Sequence, residues 1–161
     1  MPYVDMQRLL EAAFPKGYSY YWKSSLVSDI SDGAIDVLLS FAARLPNGTS
    51  SVGLQHLHDA AVRVAPGATA FPHRFPHHNF FPTAAWSDPA EAQACVAWAR
   101  EFWEAMQPYS ERANYVNDLG DEPQERVREA YGANYDRLAQ LKAKFDPANL
   151  FRLNANIPPQ S

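Results

Sequence analysis

The stretch NYVNDLGDE, Asn114 to Glu122, decides how the rest of the chain is read. Taken as a strand over Asn114–Leu119 that runs into an acidic turn at Asp121-Glu122, it supplies the last member of a sheet begun far upstream. A strand's period of two sets Tyr115 and Asn117 on one face and Val116 on the other. With Val116 turned to the core, the phenol and the amide look at whatever lies across the sheet's open face.

Working outward, YSYYWKSSLV, Tyr18 to Val27, alternates aromatic and polar residues between Gly17 and Asp29 and reads as a strand. Asp32 to Leu45 reads as a helix with Ala34, Leu38, Phe41 and Leu45 at helical spacing, closed by a PNGT turn. Ser50 to Ala60 is a second strand with Val52, Leu54 and His56 on one face. Phe71 to Trp86 is a third, and its prolines at 72, 76 and 82 cannot donate to a ladder, so it is expected at an edge or bulged. Asp88 caps and Pro89 opens a helix whose stripe is Ala92, Cys95, Ala99, Phe102 and Met106. A last helix, Gln124 to Phe145, turns Val127, Tyr131, Leu138, Leu141 and Phe145 inward, and the tail is extended.

With Asn114–Leu119 as the fourth strand, the order is that of an α+β fold, a ferredoxin-like antiparallel sheet (βαββαβ) with helices on one face and an additional C-terminal helix. Residues 1–161 form a single domain on this reading. The sheet's other face carries Tyr18, Tyr20, Trp22 and the aromatics of the third strand, more apolar surface than one helical layer buries. A partner subunit, a separate domain or the last helix must cover it. For the chain by itself a second copy is the available cover, so a homodimer is expected.

Fourteen basic against eighteen acidic residues, net charge -4, with no dense basic cluster, argue against nucleic acid and anionic membrane as partners. No apolar run approaches a membrane span and the first residues lack a signal peptide's pattern, which points to the cytoplasm. The single cysteine, Cys95, lies on a helix stripe and reads as a buried thiol. Asn47 opens an NGT glycosylation pattern that matters only on secretion. His56, His58, His73, His77 and His78 invite a metal, but His77 and His78 point to opposite strand faces and no acidic or thiol ligand completes a shell, so no metal site is expected. Neither a nucleophile elbow nor a glycine-rich phosphate loop is present.

Several motifs fall in one order: YYWKSSLV, ATAFPHR, AWSDP, YVNDLGDE and AYGANYDRLAQLKAKFDPANLFRLNANIPP. Together they resemble the C-terminal substrate domain of FAD-linked oxidases of the berberine bridge enzyme type, from about Pro2 to Pro159. The resemblance implies a sheet that roofs a flavin ring and FAD as cofactor of the whole oxidase. The flavin-binding domain is not part of the matched region, so a separate flavin-domain polypeptide is the expected partner, and no FAD is expected on the chain alone. It further implies that Tyr115 is catalytic, taking or positioning the proton of a small organic substrate while hydride leaves to the flavin. Asn117, Asp118, Lys23, Trp22, His56, Asn79 and Phe81 would face substrate or flavin.

The chain departs from the family pattern at several positions. Asp118 stands where many members carry a second aromatic residue, His58-Asp59 where a glycine pair is common, Phe80-Phe81-Pro82 where some carry polar active-site groups, and Ala155 where bacterial relatives have Gln. Two readings follow: the substrate-binding portion of an FAD-dependent oxidoreductase, or a stand-alone module that binds a small molecule or its own copy without redox activity. Tyr115 and Asn117 would serve a cavity in the first and simply cover the sheet in the second.

Overall fold

The computed structural model describes residues 1–9, 11–120 and 123–160, so the Asp121-Glu122 turn lies outside the described residues. A short helix, α1 (Tyr3–Gln7), precedes two strands, β1 (Ser19–Trp22) and β2 (Ser25–Val27). Helix α2 (Asp32–Ala42) leads to β3 (Ser51–Leu57) and β4 (His77–Trp86). Helix α3 (Ala92–Met106) follows, then α4 (Gln124–Tyr131) and α5 (Tyr135–Phe145).

Strand β4 is the hub of a four-stranded antiparallel sheet, with β1 and β2 along one side and β3 along the other. β1 and β2 keep one register on β4: Trp22 stands opposite Thr83 and Ser25 opposite Phe80. Continued through the gap, that register sets Lys23 opposite Pro82. The expected strand Tyr18–Val27 is thus a single strand interrupted beside a proline, which has no N–H to give a ladder. The expectation that the proline-bearing strand would be an edge is overturned: β4 is central, and the ladder breaks on one side of Pro82 instead. Residues 71–76, with Pro72 and Pro76, form no strand at all.

Helices α2 and α3 cover one face. Ser31 caps α2 by accepting the N–H of Ala34, and Asp88 accepts that of Ala90 at 2.9 Å where Pro89 opens the turn into α3. The stripe Cys95, Trp98, Ala99, Phe102 and Met106 is buried against Val27, Phe80 and Ala84 of the sheet and Ala34 and Phe41 of α2. Phe102 is its centre, stacked on Phe41 at 4.5 Å and meeting Phe80 and Trp98 at steep angles at 5.0 and 5.6 Å. Leu38 packs at the core's margin, whereas Leu45 lies beyond the helix end and is exposed.

The fourth strand does not form. Tyr115 is extended, but Val116–Asp118 is a 3-10 turn in which Asp118 N–H donates to the Tyr115 carbonyl at 2.9 Å and Leu119 N–H to that of Val116 at 3.3 Å. Donors a ladder would use are spent locally, a habit of segments rich in Asn and Asp. The ferredoxin-like βαββαβ order therefore gives way to strand, strand, helix, strand, strand, helix after α1.

The expected single closing helix is also broken. At Gly132 φ is 48°, a left-handed value that ends α4 and turns the chain into α5. Val127, Tyr135 and Ala139 bury together with Leu119, Tyr131, Ala155 and Ile157 packed on them. Leu141 and Phe145, expected inward, are 42% and 74% exposed. The tail is tied back through Asp146, which pairs with Lys142 and accepts the N–H groups of Leu150 and Phe151 at 2.8 and 3.0 Å. Among the described residues no helix is long and apolar enough to cross a membrane.

Candidate ligand-binding face of the sheet

Since Tyr21, Val27, Val52, Phe80 and Ala84 pack toward the helices, the strand period turns Trp22, Leu26, Gly53, Gln55, Leu57, His77, Asn79 and Phe81 to the opposite face. Part of that face is roofed by the chain itself. A cavity of about 320 Å³ lies there, lined by Leu26, Gln55, Leu57, Phe71, Arg74, His77, Asn79 and Tyr115. Its volume falls in the range of small-ligand sites.

The 3-10 turn is pinned to the sheet by two contacts. Trp22 Nε1 donates to the Asp118 carbonyl at 3.1 Å, and Asn79 Nδ2 donates to Asp118 Oδ2 at 2.7 Å. Burial pushes the Asp118 carboxyl above its ordinary range, and the Asn79 hydrogen bond opposes that shift. Asn117 Nδ2 donates to Tyr115 Oη at 2.6 Å, and the Tyr115 ring meets Phe71 edge-on at 5.8 Å. The turn stands between two hollows: Tyr115 lines the cavity, while Asn117 lines a groove with Tyr131 and Leu153. The period-of-two reading that faced both side chains to one cavity fails because the backbone turns after Tyr115.

Of the residues expected at the site, Trp22, Asn79, Phe81, Tyr115, Asn117 and Asp118 lie on or over this face. Lys23 and His56 do not. The Lys23 ammonium sits 5.4 Å from the ring of Trp103, on α3 across the sheet. His56 belongs to the helix-side parity, where its ring stacks between His58 and His78 at 4.3 Å from each. Partial desolvation and the two neighbouring imidazoles hold the His56 pKa below its ordinary value. His73 is buried and its Nε2 bonds the Ala130 carbonyl at 3.0 Å, tying the 71–75 loop to α4.

The sequence reading passed over His77, Arg74, Gln55 and Phe71. His77 shares a strand face with Asn79, so the same parity that nominates one nominates the other. His77 Nδ1 bonds the Phe75 carbonyl at 2.6 Å, so Nδ1 carries the hydrogen and Nε2 is the acceptor. Burial lowers its pKa, partly offset by that same bond. Arg74 is held by the Ala61 carbonyl and Thr69 Oγ1, both at 2.8 Å, and its guanidinium lies 4.8 Å from the Phe71 ring.

The family model for berberine and berberine-like domains matches residues 114–158. The chain is 33% identical to an uncharacterized FAD-linked oxidoreductase, YgaK, of Bacillus subtilis, over 84% of this chain and 30% of that protein. It is 34% identical to berberine bridge enzyme-like D-2 of Nicotiana tabacum, over 96% of this chain and 33% of that one. Among solved structures, berberine bridge enzyme from Eschscholzia californica superposes with a TM-score of 0.79 at 24% identity, over 91% of this chain and 34% of that one, which shows a shared fold. These matches make the chain similar to one portion of the berberine bridge enzyme-like FAD-linked oxidoreductases. It spans about a third of the length of the curated relatives it matches.

Proposed function

We propose that the chain is the substrate-binding portion of an FAD-dependent oxidoreductase of berberine bridge enzyme type, completed by a flavin-binding domain on a separate polypeptide. The observation that carries the reading is Tyr115 at the wall of the cavity, beside a turn that Trp22 and Asn79 pin through Asp118. Because Tyr115 Oη already accepts from Asn117, its own hydrogen is left for a ligand oxygen. Tyr115 then donates a hydrogen bond to the oxygen of a substrate hydroxyl and positions it. When bound, a flavin supplies the hydride acceptor. The aromatic surface of Trp22 and Phe81, on the same sheet face as the cavity, suits the ring of such a group, and these are the residues that would lie against it.

Purification of the tagged chain from its own host tests the reading. A co-purifying polypeptide with flavin absorbance, bleached by substrate in wild type and at least a hundredfold more slowly with Tyr115→Phe, is the expected result. A chain that recovers no flavin-bearing partner, or a Tyr115→Phe complex bleached at the wild-type rate, overturns it.

Without that partner the exposed Trp22 edge is covered by a second copy. Trp22 is 40% exposed, and the aromatic side chains of α1 and the residues after it, Tyr3 and Phe14, are exposed as well. Light scattering of the isolated chain is expected to give twice the 18.0 kDa chain mass, and a value at the chain mass refutes the pairing.

A further inference from the structure

The cavity carries two buried acceptors without a protein partner. His77 is 1% exposed and Asn79 3% exposed; both line the cavity. His77 Nε2 and Asn79 Oδ1 make no hydrogen bond among the described residues. Their other polar atoms are committed, Nδ1 to the Phe75 carbonyl and Nδ2 to the Asp118 carboxylate, so neither group can turn to satisfy the orphaned atom without breaking a short bond. Two residues apart on one strand face, they stand about 7 Å from each other. Leaving a buried acceptor unmade costs free energy that a ligand donor recovers.

The surrounding wall says what the ligand's remainder is. Leu26, Leu57 and Phe71 are apolar, and the nearby Arg74 has both terminal nitrogens engaged by Ala61 and Thr69. Among the described residues the two acceptors are left without a donor, Arg74 Nε is left without an acceptor, and the Tyr115 hydroxyl keeps its hydrogen. We propose that His77 is the specificity-determining residue of this cavity, its Nε2 accepting a hydrogen bond from the hydroxyl of a small, largely apolar ligand, with Asn79 Oδ1 as a second acceptor. This rests on the cavity being the ligand site but is independent of any flavin partner. His77 acts by binding and orienting the hydroxyl.

The test uses the whole chain with three probes of one shape: 2-phenylethanol, its methyl ether, and phenylacetate, with binding followed by NMR. The alcohol is expected to bind about tenfold or more tightly than the ether, the loss incurred when a buried acceptor goes unpaired. His77→Phe is expected to erase that difference. In wild type, the Nε2 nitrogen signal of His77 should shift with the alcohol and stay still with the ether, a readout that does not depend on the variant's folding. Equal binding of alcohol and ether, preference for phenylacetate, no binding of any probe, or an unmoved His77 signal each overturns the proposal. The flavin-association experiment is unaffected by these outcomes, so failure here and failure of the oxidoreductase reading are told apart.

Discussion

The ring of Phe81 lies across the backbone of Gly53, its registered partner on β3, so closely that a Cβ on Gly53 would stand 2.1 Å from two ring atoms. Glycine is needed here for the space it leaves to a neighbour. Gly53→Ala is expected to cost about 1 to 3 kcal/mol, the usual range for overpacking. Combining it with Phe81→Leu should restore most of that loss. Urea midpoints of the two single variants and the double variant check the coupling, and a fully additive cycle rejects it.

Phe102 has no exposed surface and touches three aromatic rings. Phe102→Ala is expected to lower stability by about 3 to 5 kcal/mol, from lost burial and the cavity left behind. Denaturant unfolding measures it. An unchanged midpoint would mean that α3 presents another side to the sheet.

The parts of the fold legible from residues alone are those whose pattern repeats. Cys95, Ala99, Phe102 and Met106 recur over several helical turns, and Asp88-Pro89 marks a start that few other pairs mark. Tyr115-Val116-Asn117 has no such redundancy. Three residues look alike whether the chain goes on extended or curls after the first, and what decides is that the Asp118 N–H finds the Tyr115 carbonyl. Gly132 interrupts a helix pattern that runs straight through it in composition, and only its positive φ reveals the break. At the site, Tyr115, Asp118, Asn79 and Trp22 were reached through family resemblance. Their assembly was not legible, because Trp22 and Asp118 meet across 96 residues of chain. Lys23 and His56 were misplaced because register, which a lone sequence leaves open, assigns them the other face.

Asp146 holds the C-terminal tail, and its carboxyl is kept below the ordinary range by the bond from Lys142, with the Leu150 and Phe151 N–H groups adding to the effect. A carboxyl depressed on folding contributes stability that is whole above the unfolded value, about pH 4, and fades as pH falls through the lower folded one. Acid should therefore loosen the tail. Amide exchange at Leu150 and Phe151 is expected to speed up below about pH 4 relative to its intrinsic rate, and Asp146→Asn to show the faster exchange at neutral pH already. Exchange in the variant that matches wild type at pH 7 would count against the clasp.

Asp118 has the opposite sign. Burial raises its carboxyl pKa, so the folded state bears a penalty while the group is ionised, and that penalty is relieved as pH falls through the raised value. Asp118→Asn keeps an acceptor for Asn79 and removes the charge. The variant should be more stable than wild type at pH 7, with the gap closing toward pH 4. Thermal melts across that interval decide, and a variant less stable at neutral pH would show that the carboxylate's bond to Asn79 outweighs its desolvation.

The central place of β4 bears on how the chain is made. β1, β2 and β3 pair only with β4 in the sheet, and Ser19 waits for Trp86. A ribosome emits residues at roughly 5 to 20 per second, so the first strands spend several seconds outside the tunnel before a sheet neighbour exists. During that interval β1 has no β4 to pair with, and Tyr20, Tyr21 and Trp22 lie in a strand without its ladder partner.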